Sequence, residues 1–170
     1  MTRVSDLLEL QVPGFESIGW DSQLNDLAHH YCADDIHRRL SNSDLTGFGL
    51  GPCSRREAVV SRSRRCFGHD VVTHLNFCKG HLCAIHQFFP SVAEMDVHEY
   101  YAALDDIRRH MVHALGASTL RIHTNPPVQV SFRWQLEGLH AELRSCDSTR
   151  RDLSLAVNDP RVCAWCMYWQ

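Results

Sequence analysis

Two short motifs near the C-terminus carry the residue types of a metal centre: His140-Ala141-Glu142, and Cys163-Ala164-Trp165-Cys166 about twenty residues later. One imidazole and two thiolates form a three-ligand zinc set that leaves a fourth position open for water. The C-x-x-C spacing lets two thiolates reach one ion from a single turn. Glu142 need not bind the metal and can sit beside the metal-bound water. The plainer reading of each motif stays open. His140 is also a polar residue at a helix start, with Glu142 a favourable first-turn acid there. Cys163 and Cys166 also fit a redox pair or a buried terminal turn.

These residues must be positioned by the elements around them. Ser91 and Glu94 form an S-x-x-E capping pattern after Pro90. Val97, Tyr100, Leu104, Ile107, Met111 and Leu115 then recur at spacings of three and four, which predicts a long amphipathic helix that stops at Gly116. Leu120, Ile122 and Thr124 alternate with polar residues, as do Val128, Val130, Phe132, Trp134 and Leu136. That pattern predicts a hairpin whose loop holds Asn125-Pro126-Pro127. Leu139 and Leu143 share a helix face, so a short helix carrying His140 and Glu142 is expected at 139–144. Leu153, Leu155 and Val157 predict a further strand, followed by a turn at Asn158-Asp159-Pro160 and the start of a helix at the C-x-x-C.

This order resembles the zinc-dependent cytidine and nucleic-acid deaminase superfamily, in particular its divergent toxin and fungal-type domains. The resemblance covers roughly residues 91 to 170. It implies an α/β (α+β) fold: helix, β-hairpin, H-x-E helix, strand and C-x-x-C helix, cut short because the chain ends four residues after Cys166. It further implies that His140, Cys163 and Cys166 ligate Zn²⁺, and that Glu142 shuttles a proton between a zinc-bound hydroxide and the substrate. The implied reaction is hydrolytic deamination of cytosine or adenine, in a nucleoside, single-stranded DNA or RNA.

Residues 1–90 read as a mostly helical, Cys/His-rich extension ahead of the deaminase-like domain at 91–170. Trp20 to Leu40 has a helical core face through Leu24, Leu27, Tyr31 and Ile36, and Ser41 to Pro52 reads as a loop. A second Cys/His cluster follows: Cys66, His69, Cys78, His81, Cys83 and His86. Its easiest metal geometry shares one ion between the 66/69 pair and the 78/81 or 83/86 pair. Between these stretches lies a basic run, Arg55, Arg56, Arg62, Arg64 and Arg65, which reads either as a phosphate contact or as a solvated loop.

Composition bounds the alternatives. The chain has 170 residues, eight Cys, twelve His and a formal net charge of -3, so it is no polybasic coat for nucleic acid. There is no run of eighteen apolar residues to span a bilayer, and no basic segment leading into an apolar h-region at the N-terminus. An intracellular protein, in cytoplasm or nucleus and away from membranes, is expected. The competing function is a non-catalytic, zinc-stabilised interaction or regulatory protein with a protein partner, or one that touches nucleic acid through Arg55 to Arg65.

Overall fold

The computed structural model describes residues 19–23, 36–38, 56–125, 127–148, 151–159 and 161. Among them, eight strands form one antiparallel sheet: β1 (Ile36–Arg38), β2 (Arg56–Cys66), β3 (His69–Cys78), β4 (His81–Phe88), β5 (Thr119–His123), β6 (Val128–Leu136), β7 (Leu139–Asp147) and β8 (Asp152–Asn158). Between β4 and β5 come a one-turn helix, α1 (Pro90–Ala93), and a long helix, α2 (Val97–Leu115). The protein is thus mostly β, with an α+β order. The strands lie in the order β1-β2-β3-β4-β8-β7-β6-β5. Two meanders therefore meet where β4 pairs with β8, Ile85 opposite Val157.

Tight turns build the meanders. Phe67-Gly68 joins β2 to β3 and Lys79-Gly80 joins β3 to β4, and all four residues have positive φ, between 52° and 79°. Two consecutive positive φ values match the right-handed twist of the flanking strands, which explains why glycine sits second in both loops.

Helix α2 follows its sequence period closely. Tyr100, Ala103, Leu104, Ile107 and Met111 are buried against one face of the sheet, among Leu75, Ile85, Leu143, Leu155 and Val157. Each such large side chain contributes about 1.5–3 kcal/mol by leaving water. The start differs from the expectation at Ser91. Asp96 is the N-cap, and its carboxylate accepts from the N–H groups of His98 and Glu99 at 2.8 and 3.0 Å. Ser91 lies instead in α1, separated from α2 by Glu94, Met95 and Asp96. At the other end Gly116 turns with φ 84°. Its carbonyl accepts from the Trp134 indole N–H at 2.9 Å, tying the helix to β6.

Three local predictions change. Residues 139–144 belong to strand β7 and not to a helix, so the H-x-E helix of a deaminase core is absent at this place. The reason is that Leu139, Ala141 and Leu143 alternate, all three buried, while β6 and β8 pair along both sides of the segment. Where a mostly helical extension is expected, residues 56–88 form β2, β3 and β4. Within the helix expected from Trp20 to Leu40, Trp20 and Asp21 form a turn, Gln23 bridges His81 and Ile36–Arg38 is a short strand on β2; residues 24–35, 39 and 40 lie outside the described residues. The boundary expected at residue 90 falls inside one sheet, because β4 and β8 are neighbours.

Candidate functional site

Opposite residues of an antiparallel pair share a face, so the register reads out what each face carries. The face turned away from α2 is polar. One row across it runs His74, His86, Ala156, Glu142, Arg133. The next runs Asn76, Ala84, Asn158, His140, Gln135. The alanines form low points between taller polar side chains. Neighbouring strands are ~4.8 Å apart, so His86 and Glu142 stand roughly 10 Å apart across Ala156.

The β3–β4 side of this face is buried: His74, Asn76, His86 and Asn158 are all below 4% exposure. Asn76 donates to the carbonyls of His74 and Ala84 at 3.4 and 3.5 Å. Phe88 meets both imidazoles, edge-on to His74 at 5.3 Å and stacked on His86 at 6.4 Å. The β7 side is half-buried. There Glu142 Oε1 accepts from both Nε and an NH2 group of Arg133 at 3.0 Å, a direct cross-strand ion pair. His140, two residues back along β7, occupies the same face.

The predicted zinc set is partly placed. Cys163 and Cys166 lie outside the described residues, as does Arg55. The chain that leads to the two cysteines is placed at its start. Asn158 ends β8 directly opposite His140. Buried Asp159 then accepts from the backbone N–H, Nε and NH2 of Arg161 at 2.9, 2.9 and 2.6 Å. These bonds hold the Arg161 guanidinium over the β6–β7 turn, where a methyl group added to Gly138 would stand 3.1 Å from its carbon. Arg161 is two residues before Cys163, and Gly138 is two residues before His140.

The second Cys/His cluster is divided. Cys66 pairs with His69 at one end of β3, and Cys78 pairs with His81 at the other. Nine strand steps separate His69 from Cys78, about 30 Å at 3.3–3.4 Å per step, so these pairs do not meet. His86 faces His74 further along the sheet, while Cys78 and Cys83 come together with their sulfurs 2.9 Å apart. Among the described residues no group of three or more His, Cys, Asp or Glu is placed to hold a metal ion. The basic run is strand, not loop. Arg62 and Arg64 fall on one set of alternating positions of β2 and Arg65 on the other, where Arg65 pairs with Asp70 at 3.7 Å; a bulge between Arg56 and Ala58 sets Arg56, opposite Cys78, out of the Arg62/Arg64 alternation.

The polar row itself was hidden in the sequence. His74, Asn76, Arg133 and Asn158 become neighbours only through strand order. The one local signal was the alternation of Val71, Thr73, Leu75 and Phe77 against His74 and Asn76. Among the described residues no helix is long and apolar enough to cross a membrane. No protein-family model, curated protein or solved structure matches this chain.

Proposed function

We propose that the protein is a non-catalytic interaction module, braced by one zinc ion, that captures an extended segment of a partner protein along β5. The observation that carries this reading is the edge itself. Strand β5 ends the sheet order and has one strand neighbour, β6, among the described residues. Leu120 and Ile122 on it are 52% and 56% exposed, and Val128 beside them is 42% exposed. An open edge offers main-chain N–H and C=O groups to an added strand. Leu120 and Ile122 share one face and ask for apolar side chains two residues apart. Thr119, Arg121 and His123 share the other and favour acidic ones. The occupant is therefore a partner's extended segment with apolar and acidic residues in alternation.

The brace would be held by His140, Cys163 and Cys166. The donor set suits zinc, and two placements support it: Asn158 opposite His140, and Arg161 over Gly138. Zinc at such a site contributes folding energy and fixes the chain beyond β8 to the β6–β7 turn. Hydrolytic deamination of a nucleobase is the competing reading. The ion pair with Arg133 weighs against it, because both guanidinium bonds fall on the carboxylate that a proton shuttle would need.

Two measurements test the proposal. Metal analysis of the full chain is expected to find one zinc per molecule, lost in His140→Ala and kept in Glu142→Gln. A synthetic peptide alternating valine and glutamate is expected to bind, and binding is expected to fail when Leu120 and Ile122 are both replaced by Lys. Equal peptide binding by the double Lys variant would refute the β5 assignment. Ammonia release from a cytosine or adenine substrate that disappears in Glu142→Gln would overturn the non-catalytic reading.

A further inference from the structure

We propose that Cys78 and Cys83 form an intramolecular disulfide on exposure to peroxide, making the β3–β4 hairpin a thiol-based oxidation site. The two residues are placed together by a bulge. Asn76 pairs with Ala84 and Phe77 with Leu82, so Cys83 is the extra residue on β4, without a register partner on β3. A bulged residue is released from the regular alternation of the strand. Cys83 Sγ therefore lies 3.2 Å from the Asn76 carbonyl and 2.9 Å from Cys78 Sγ. A disulfide bond measures ~2.05 Å, so closure needs a sulfur movement of less than about 1 Å.

Both thiols are buried, at 1% and 0% exposure, which selects a small oxidant. Hydrogen peroxide has that size, and its chemistry balances. One sulfur, as thiolate, attacks a peroxide oxygen; the O–O bond breaks, one water leaves and a sulfenic acid remains. The second sulfur attacks the sulfenic sulfur; the S–O bond breaks and a second water leaves. Two S–H bonds are lost and one S–S bond is formed, while peroxide takes up the two electrons. Placement gives the reaction a structural consequence. The Cys83 carbonyl accepts from the Asp159 N–H at 2.9 Å, so the oxidised hairpin is tied directly to the segment that leaves β8.

The sequence supplies a clean assay. Lys79, the only lysine, lies between the two cysteines. Trypsin therefore cuts the reduced chain into Cys66–Lys79 and Gly80–Arg108. After treatment of the full-length protein with hydrogen peroxide and alkylation without reductant, the two peptides are expected to appear mainly as one linked species. It should be lighter than their sum by two hydrogens and separate on reduction. Cys66→Ala should leave the species intact; Cys83→Ser and, independently, Cys78→Ser should abolish it. Linkage through Cys66, oxidation that stops at separate sulfinic acids, or thiols that react only after a chelator removes bound zinc would each overturn the proposal.

Discussion

Replacing Tyr100 with Phe removes one oxygen from the seam between α2 and the sheet. The Tyr100 hydroxyl donates to the Asp152 carbonyl and accepts from Ser145 Oγ, both at 2.8 Å. The residue is fully buried and belongs to the main core. Phe retains the ring, so the variant loses two hydrogen bonds and little packing. At a net 0.5–1.5 kcal/mol each, the expected loss near pH 8 is about 1–3 kcal/mol. A second effect comes from ionisation. Burial pushes the Tyr100 phenol up to about 12, since the buried site disfavours phenolate. The stability this contributes is present in full below the ordinary tyrosine value of about 10 and is lost as pH rises towards about 12. At pH 11 the unfolded phenol is mostly ionised and the folded one mostly neutral. With those two values the loss is on the order of 1 kcal/mol. Tyr100→Phe cannot undergo it. Urea unfolding of both proteins at pH 8 and pH 11 should therefore show the gap between them narrowing by roughly that amount. Other alkaline titrations are common to the pair and cancel in the comparison. A gap that is absent at pH 8, or that stays constant to pH 11, would refute the placement of this hydroxyl.

Two further outcomes follow from single contacts. Asp96→Ala is expected to lower helical content near neutral pH, seen by circular dichroism, because the N–H groups of Glu99 and His98 lose their acceptor. Those same bonds, led by Glu99, hold the Asp96 carboxyl below its usual value. The native advantage should therefore be full above the ordinary carboxylate range and disappear as acid protonates the folded group; an advantage that persists unchanged in acid would count against the cap. For the cross-strand pair, a double-mutant cycle on Arg133→Ala and Glu142→Ala should give a coupling of about 0.5–1 kcal/mol. That modest size follows from an arginine side chain still 40% exposed, against 13% for the glutamate. A coupling near zero would show that Glu142 is not held as described.

What could be read from the sequence depended on whether a pattern was local. Helix α2 was legible because Tyr100, Leu104, Ile107 and Met111 keep one period for three turns, and a hairpin at 120–136 because its alternation ran on both sides of a proline turn. Strand β7 was misread for a specific reason. A spacing of four, as in Leu139 and Leu143, lies near one turn of helix and is also two full periods of a strand. Ala141, the residue that separates the two readings, is small enough to pass unnoticed. The helix start was misplaced in a similar way. Asp96-Val97-His98-Glu99 has the same cap-then-acid spacing as Ser91 to Glu94, and the structure uses the second of the two. The turns Phe67-Gly68 and Lys79-Gly80 were the overlooked local signals of a meander in residues 56–88. The polar row of His74, His86, Glu142 and Arg133 had no local signal beyond the alternation within β3. It exists because β8 inserts between β4 and β7, a long-range choice made by the whole core.

That insertion also changes what the H-x-E motif means. On a helix, residues two apart point about 200° away from each other. On β7, His140 and Glu142 share a face roughly 6.7 Å apart, so both can address the same point in space. The strand thus brings the pair together, but it also sets Arg133 directly opposite Glu142. The carboxylate is met by a guanidinium before any ligand arrives. His140 is placed otherwise: its register partner is Asn158, and the chain beyond, led by Asp159 and Arg161, turns over Gly138 at the start of β7. The two halves of one three-residue motif therefore belong to different neighbourhoods. Glu142 is committed to holding β6 against β7, whereas His140 lies beside the end of β8, from which the chain leads on towards Cys163 and Cys166. A zinc brace draws on the second neighbourhood alone, while a deaminase would need both.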